Sequence, residues 1–147
     1  MARFDQDWVD SMLRPERRGA PPAEETLLEL VRRRAAPQDL ATIETRPSQG
    51  LPIPVEDGVA DLVVCALVLH DLDDRPSLVR ELGRVVRPHG HIAVMEWRSE
   101  PGDRRPNRLT PEQTARLLTD AGQHVLDVRP LGALQYLLVA GRSTGPP

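Results

Sequence analysis

Residues 61–69, Asp-Leu-Val-Val-Cys-Ala-Leu-Val-Leu, are apolar at every position after the first and show no alternation. A strand that is wet on one face alternates between apolar and polar. An unbroken run of this length is the pattern of a strand in the middle of a parallel sheet, covered on both faces. A buried helix is the competing reading, and the valines favour the strand. Such a strand needs a neighbour on each side and cover above and below. The chain has 147 residues, enough for one domain, and aromatics make up only 3% of it, so the core must be built from Leu, Val, Ile and Ala.

The surrounding sequence supplies part of that cover. Residues 76–86 place Leu78, Val79, Leu82, Val85 and Val86 at helical spacing, with Asp74 as cap and Pro76 in the first turn. Arg87-Pro88-His89-Gly90 reads as a turn, and 91–97 as a second strand. Strand, helix and strand with short connections make a βαβ unit. Thr110-Pro111-Glu112-Gln113 has the form of a capping box opening a helix that runs to about Ala121, closed by Gly122. Strands are expected at 124–129 and 135–141, joined by a return at Leu131-Gly132. Upstream, 23–36 reads as a helix with Glu24 and Glu25 in its first turn and Arg32, Arg33 and Arg34 in its last, an order that suits the helix dipole. The β-branched stretch 41–45 is a candidate fifth strand. The expected organisation is an N-terminal arm and helix over 1–40, an α/β sheet domain over 41–143, and a disordered tail over 144–147, forming one structural domain.

Composition narrows the function. All 19 basic residues are arginine, so a Schiff-base lysine and a P-loop lysine are excluded. A net charge of −3 leaves no basic footprint for nucleic acid. The single cysteine, Cys65, rules out an internal disulfide and a cysteine-rich zinc site, and its place within an apolar run suggests an inert, buried thiol. No apolar stretch is long enough to span a membrane and no signal peptide opens the chain, so a cytoplasmic protein is expected.

Leu51-Pro52-Ile53-Pro54, Asp61-Leu62-Val63-Val64, Leu69-His70-Asp71-Leu72 and the run from Arg80-Glu81-Leu82 to Arg87-Pro88-His89-Gly90 together resemble class I S-adenosylmethionine-dependent methyltransferases of the ubiquinone and menaquinone biosynthesis type (methyltransferase type 11). The N-terminal Pro15-Glu16-Arg17-Arg18 and Pro21-Pro22-Ala23-Glu24-Glu25 resemble a lead-in helix of one branch, so the likeness covers roughly 4–36 and 51–141. It implies a Rossmann-like methyltransferase sheet. One departure stands against it. The family holds its cofactor on a glycine-rich turn after the first strand and an acid ending the second, whereas no Gly-x-Gly occurs here. The helix ending near Ala36 leads almost directly to Leu51-Pro52, so the sheet is expected to be shortened, without standard S-adenosylmethionine binding by the isolated chain.

The ligand edge of such a sheet lies at its strand ends. His70 and Asp71 end the first strand, and Glu96 and Trp97 the second; these four are the candidate lining residues. Leu69 and His70 are the nearest candidates for a cofactor contact, and no catalytic residue is evident. Plainer alternatives exist: a histidine bonded within the strand-to-helix turn, and a tryptophan covering the sheet end. The acids Asp71, Asp73 and Asp74 fit capping and solvation better than metal binding, and His89 with His91 lacks a third ligand, so no metal is expected. The strand at 61–69 would have an unpaired edge, repaired either by 41–45 or by a second copy. A homodimer is expected, one form of which exchanges the N-terminal arm. Three functions remain open: a non-catalytic protein acting through self-association or protein binding, an active small-molecule methyltransferase whose S-adenosylmethionine site is completed by a partner chain or by an unusual pocket, and a small-ligand binding module.

Overall fold

A computed structural model describes residues 24–38, 42–48, 50–99 and 107–142. The chain divides into two compact units, residues 1–49 and 50–147. The expected N-terminal arm over 1–22 and the tail at 144–147 lie outside the described residues.

In the first unit, α1 spans Glu24–Ala35 and tightens into a 3-10 turn at Ala36–Gln38. Arg32 Nε donates to Thr45 Oγ1 at 2.7 Å, tying the helix to the chain beyond it. Residues 42–48 do not form the expected strand. Ile43 is 46% exposed, and β-branched content alone does not make a strand without a ladder to join.

The second unit holds β1 (Ala60–Ala66), α2 (Arg75–Val85), β2 (Val86–Trp97), α3 (Pro111–Asp120), β3 (Gln123–Leu131) and β4 (Gln135–Arg142). The four strands lie in the order β1-β2-β4-β3. β1 and β2 are parallel, with α2 as the crossover, while β4 runs antiparallel to both β2 and β3. Asp74 caps α2 through Ser77, accepting its N–H at 3.1 Å and its hydroxyl at 2.6 Å. Thr110 and Gln113 form the capping box of α3. Leu78, Val79, Leu82 and Leu118 from the helices meet Cys65, Ile92, Val94, Leu138 and Ala140 from the sheet in one apolar cluster.

Arg87-Pro88-His89-Gly90 is not a turn preceding the strand. β2 already begins at Val86, which pairs with Ala60, and the register then jumps so that His91 pairs with Leu62. The intervening residues bulge out of the ladder, with His89 at a φ of +66°. Gly90 closes the bulge because nothing larger fits: a Cβ there would stand 2.7 Å from Val86 Cγ2 and 2.9 Å from the Ala60 carbonyl oxygen.

β1 also departs from expectation. Cys65 is buried, yet Leu62 is 56% and Val64 62% exposed. The apolar core lies on one face of the sheet, where the residues of α2 and α3 contribute to it. The other face of β1 carries Leu62, Val64 and Ala66, all exposed. As first strand in the sheet order, β1 has β2 as its partner on one side and an open edge on the other among the described residues.

Candidate functional site

Beyond β1 the chain must turn sharply to reach α2. Leu67 takes a φ of +57°, a conformation that costs a side-chain-bearing residue energy and needs the surroundings to hold it. Its N–H donates to the Met95 carbonyl at 2.8 Å. The next residues form a 3-10 turn at Leu69–Asp71, and Leu69 itself is fully buried. Its N–H donates to Glu96 Oε1 at 2.7 Å, and its carbonyl accepts from Arg75 Nε at 2.9 Å. The turn is thus clamped on both sides.

Glu96 is the centre of this arrangement. It projects from β2 onto the covered face and is 1% exposed. Its second oxygen, Oε2, lies 2.7 Å from His70 Nδ1. A carboxylate only accepts hydrogen bonds, so Nδ1 carries the proton toward it, and in the neutral ring Nε2 is the acceptor. The His70 side chain keeps 21% exposure, and Nε2 lies 3.5 Å from Asp71 Oδ1, on a side chain that is 75% exposed. Nδ1 therefore meets the buried Glu96 carboxylate, and Nε2 lies on the side of the exposed Asp71 carboxylate.

Burial also changes the neighbouring groups. Desolvation, with Glu96 as a smaller contributor, pushes the Cys65 thiol up to about 12. Tyr136 pairs with Glu96 across the β2–β4 ladder, and burial pushes its hydroxyl up to about 12. Thr114 Oγ1 lies 2.6 Å from the Tyr136 hydroxyl oxygen, joining α3 to the sheet.

Of the four expected lining residues, the structure brings three together. His70 and Glu96 are in direct contact, and Asp71 flanks the outer nitrogen. Trp97 is not part of the cluster. Strand alternation directs it to the opposite face from Glu96, and its ring lies beneath the Arg108 guanidinium, 5.3 Å from centroid to carbon. Leu69 contributes its backbone rather than its side chain. The sequence showed no evident base because His70 and Glu96 are 26 residues apart, and only the parallel pairing of β1 with β2 joins them. Tyr136 and Thr114 were missed altogether; the one available signal was that Tyr136 is the only tyrosine in the chain. No group of three metal-ligating side chains occurs among the described residues. A cleft of about 310 Å³ lies nearby, lined by Asp73, Arg75, Leu109, Gln113, Arg116 and Asp120 among others.

Residues 23–94 match the family model described as a methyltransferase domain. An uncharacterized protein of Escherichia coli (strain K12), YafE, is 31% identical over 94 residues, covering 64% of this chain and 44% of that protein. Among solved structures, a SAM-dependent methyltransferase from Aquifex aeolicus superposes with a TM-score of 0.69 at 23% identity, covering 77% of this chain and 62% of that one. The [4+2]-cyclase SpnF superposes with a TM-score of 0.71 at 17% identity, covering 80% of this chain and 63% of that one. The chain thus spans less than two thirds of the length of each of these relatives. At these identities the superpositions show a shared Rossmann-like methyltransferase fold.

Proposed function

Since residues 23–94 match a methyltransferase-domain model, we propose that the chain acts through association at the open edge and uncovered face of β1, with a second copy as partner, and does not bind S-adenosylmethionine by itself. The observation that carries this reading is the exposure of Leu62 (56%) and Val64 (62%) on a strand with one edge unpaired among the described residues. An open β edge leaves several backbone groups unpaired at roughly 1 kcal/mol net each, and it templates association. β1 has one charged residue, Asp61, near one end, where Arg87 pairs with it. Antiparallel pairing of two β1 strands therefore opposes no like charges.

The groups at the strand end support the second half of the proposal. A methyl donor of this type needs a close backbone approach and an acid for its ribose. Here there is no Gly-x-Gly, both Glu96 oxygens are already engaged, and the N–H and carbonyl of Leu69 are both bonded within the protein. These residues do not fit the cofactor. The protein would work in the cytoplasm, with no membrane or nucleic acid partner; no described helix is long and apolar enough to cross a membrane.

Sedimentation equilibrium tests the reading. A dimer at micromolar concentration that Val64→Lys converts to monomer is expected, together with no calorimetric heat on adding S-adenosylmethionine. A wild-type monomer, or tight cofactor binding by the pure chain, would overturn it. A second reading, an active methyltransferase whose cofactor site a partner chain completes, is favoured by the His70–Glu96 pair at the strand end. SpnF superposes on this fold and is a cyclase by name, so the fold leaves the chemistry open.

A further inference from the structure

We propose that the assembly closes at two copies because the other free edge of the sheet, β3, is built not to pair. The inference rests on the association reading of β1 and goes beyond it by assigning the two edges opposite roles. The strand order leaves β1 and β3 as the terminal strands, each with one hydrogen-bonded neighbour among the described residues. When two copies join through β1, both ends of the joined sheet are β3. Pairing there as well would add copies without limit and give a filament. By length and exposure β3 is the greater hazard. It has nine residues against seven in β1, and every one from Leu126 to Leu131 is exposed.

Successive features along β3 oppose pairing. Val125 pairs with Ala140 and Asp127 with Val139, so Leu126 is an extra residue that bulges the strand. A Cβ on Gly141 would stand 3.3 Å from Leu126 Cδ1, so the extra side chain folds back over its own sheet. Asp127 and Arg129 follow, an exposed ion pair 3.5 Å apart that an incoming strand would strip of water. Pro130 then has no N–H to give to any strand. Between Leu126 and Pro130 a straight partner meets a break in the ladder, a solvated ion pair and a missing donor. β1 has none of these over its central stretch. Its register against β2 is regular from Leu62 to Ala66, it has no proline, and its one charge, Asp61, stands near its start. The edge that pairs is the regular one, and a two-fold axis through it uses that edge of both copies.

The test is sedimentation velocity on the full chain as its micromolar concentration is raised. The wild type should stop at two copies. Pro130→Val combined with deletion of Leu126 restores the donor and straightens the strand, and the mass of this variant should double to four copies and keep growing with concentration. Adding Val64→Lys blocks β1 and should return the variant to two copies, joined through β3. Far-ultraviolet circular dichroism matching the wild type establishes that the variants fold. Hydrogen exchange on the wild type needs no variant: raising the concentration should slow amide exchange over 62–66 and leave 126–131 unchanged. A wild type that grows past two copies, slowed exchange over 126–131, or a folded β3 variant that never exceeds two copies each overturns the proposal. A monomeric wild type would defeat the association reading alone. The role assigned to β3 would then stand if the altered β3 produced dimers, and fall if that variant stayed monomeric.

Discussion

Glu96 can be tested as a structural element by comparing two substitutions that remove different parts of it. Glu96→Ala deletes the acceptor of the Leu69 N–H in a region where both residues are buried. An unsatisfied buried N–H costs about 1–3 kcal/mol, and the space left by the side chain adds about 1 kcal/mol. Glu96→Gln keeps an oxygen for Leu69 and turns its NH2 toward His70, so that contact persists with Nδ1 as the acceptor, while the cost of burying the charge is removed. The glutamine variant should therefore stay within about 1 kcal/mol of wild type, and the alanine variant should fall about 2 kcal/mol further. Urea unfolding followed by far-ultraviolet circular dichroism at neutral pH reads the difference as a separation of midpoints at constant slope. Equal midpoints for the two variants would show that the Leu69–Glu96 bond does not hold the turn.

Gly90→Ala should destabilise by about 1–3 kcal/mol, since its Cβ meets the carbonyl oxygens of Ala60 and Asp61 as well as Val86; a midpoint unchanged from wild type would refute the packing. Cys65, 4% exposed and with its thiol pushed up to about 12, should stay silent to Ellman's reagent in the native protein and react on unfolding. Because Cys65 and Tyr136 have raised values, the stability they contribute is complete below the unfolded values of 9.0 and 10.0, and is lost as the pH rises toward 12; a thermal midpoint that does not fall across that range would contradict it. At the acid end the sign reverses. The Arg84 hydrogen bond holds the Glu81 carboxyl below its ordinary 4.5, so its contribution is present above that value and disappears as the pH falls below it; Arg84→Gln should flatten this acid limb in a pH series of urea midpoints.

The strand, helix, strand segment and its capped helices were legible because their signals are local. Asp74 two residues before Pro76, and Thr110 three before Gln113, announce helix starts through bonds that span a single turn. The failures were of another kind. Residues 42–45 have strand composition and no strand, because pairing is supplied by a neighbour and not by propensity. At 87–90, Pro and Gly suggested a turn, but Val86 had already joined the ladder against Ala60, and the excess residues bulged from it.

The amino-acid order determined the βαβ segment, the helix caps, the burial of the cysteine and the lack of a Gly-x-Gly turn, all of which depend on residues within a few positions of one another. Tertiary structure alone decided that His70 meets Glu96, that Trp97 faces away from them, and that Leu62 and Val64 remain exposed. Each of these follows from register and from which face of the sheet the helices cover. A run that is apolar on both faces says that both can be buried; which face is covered, and by what, is fixed only when the other strands and helices take their places.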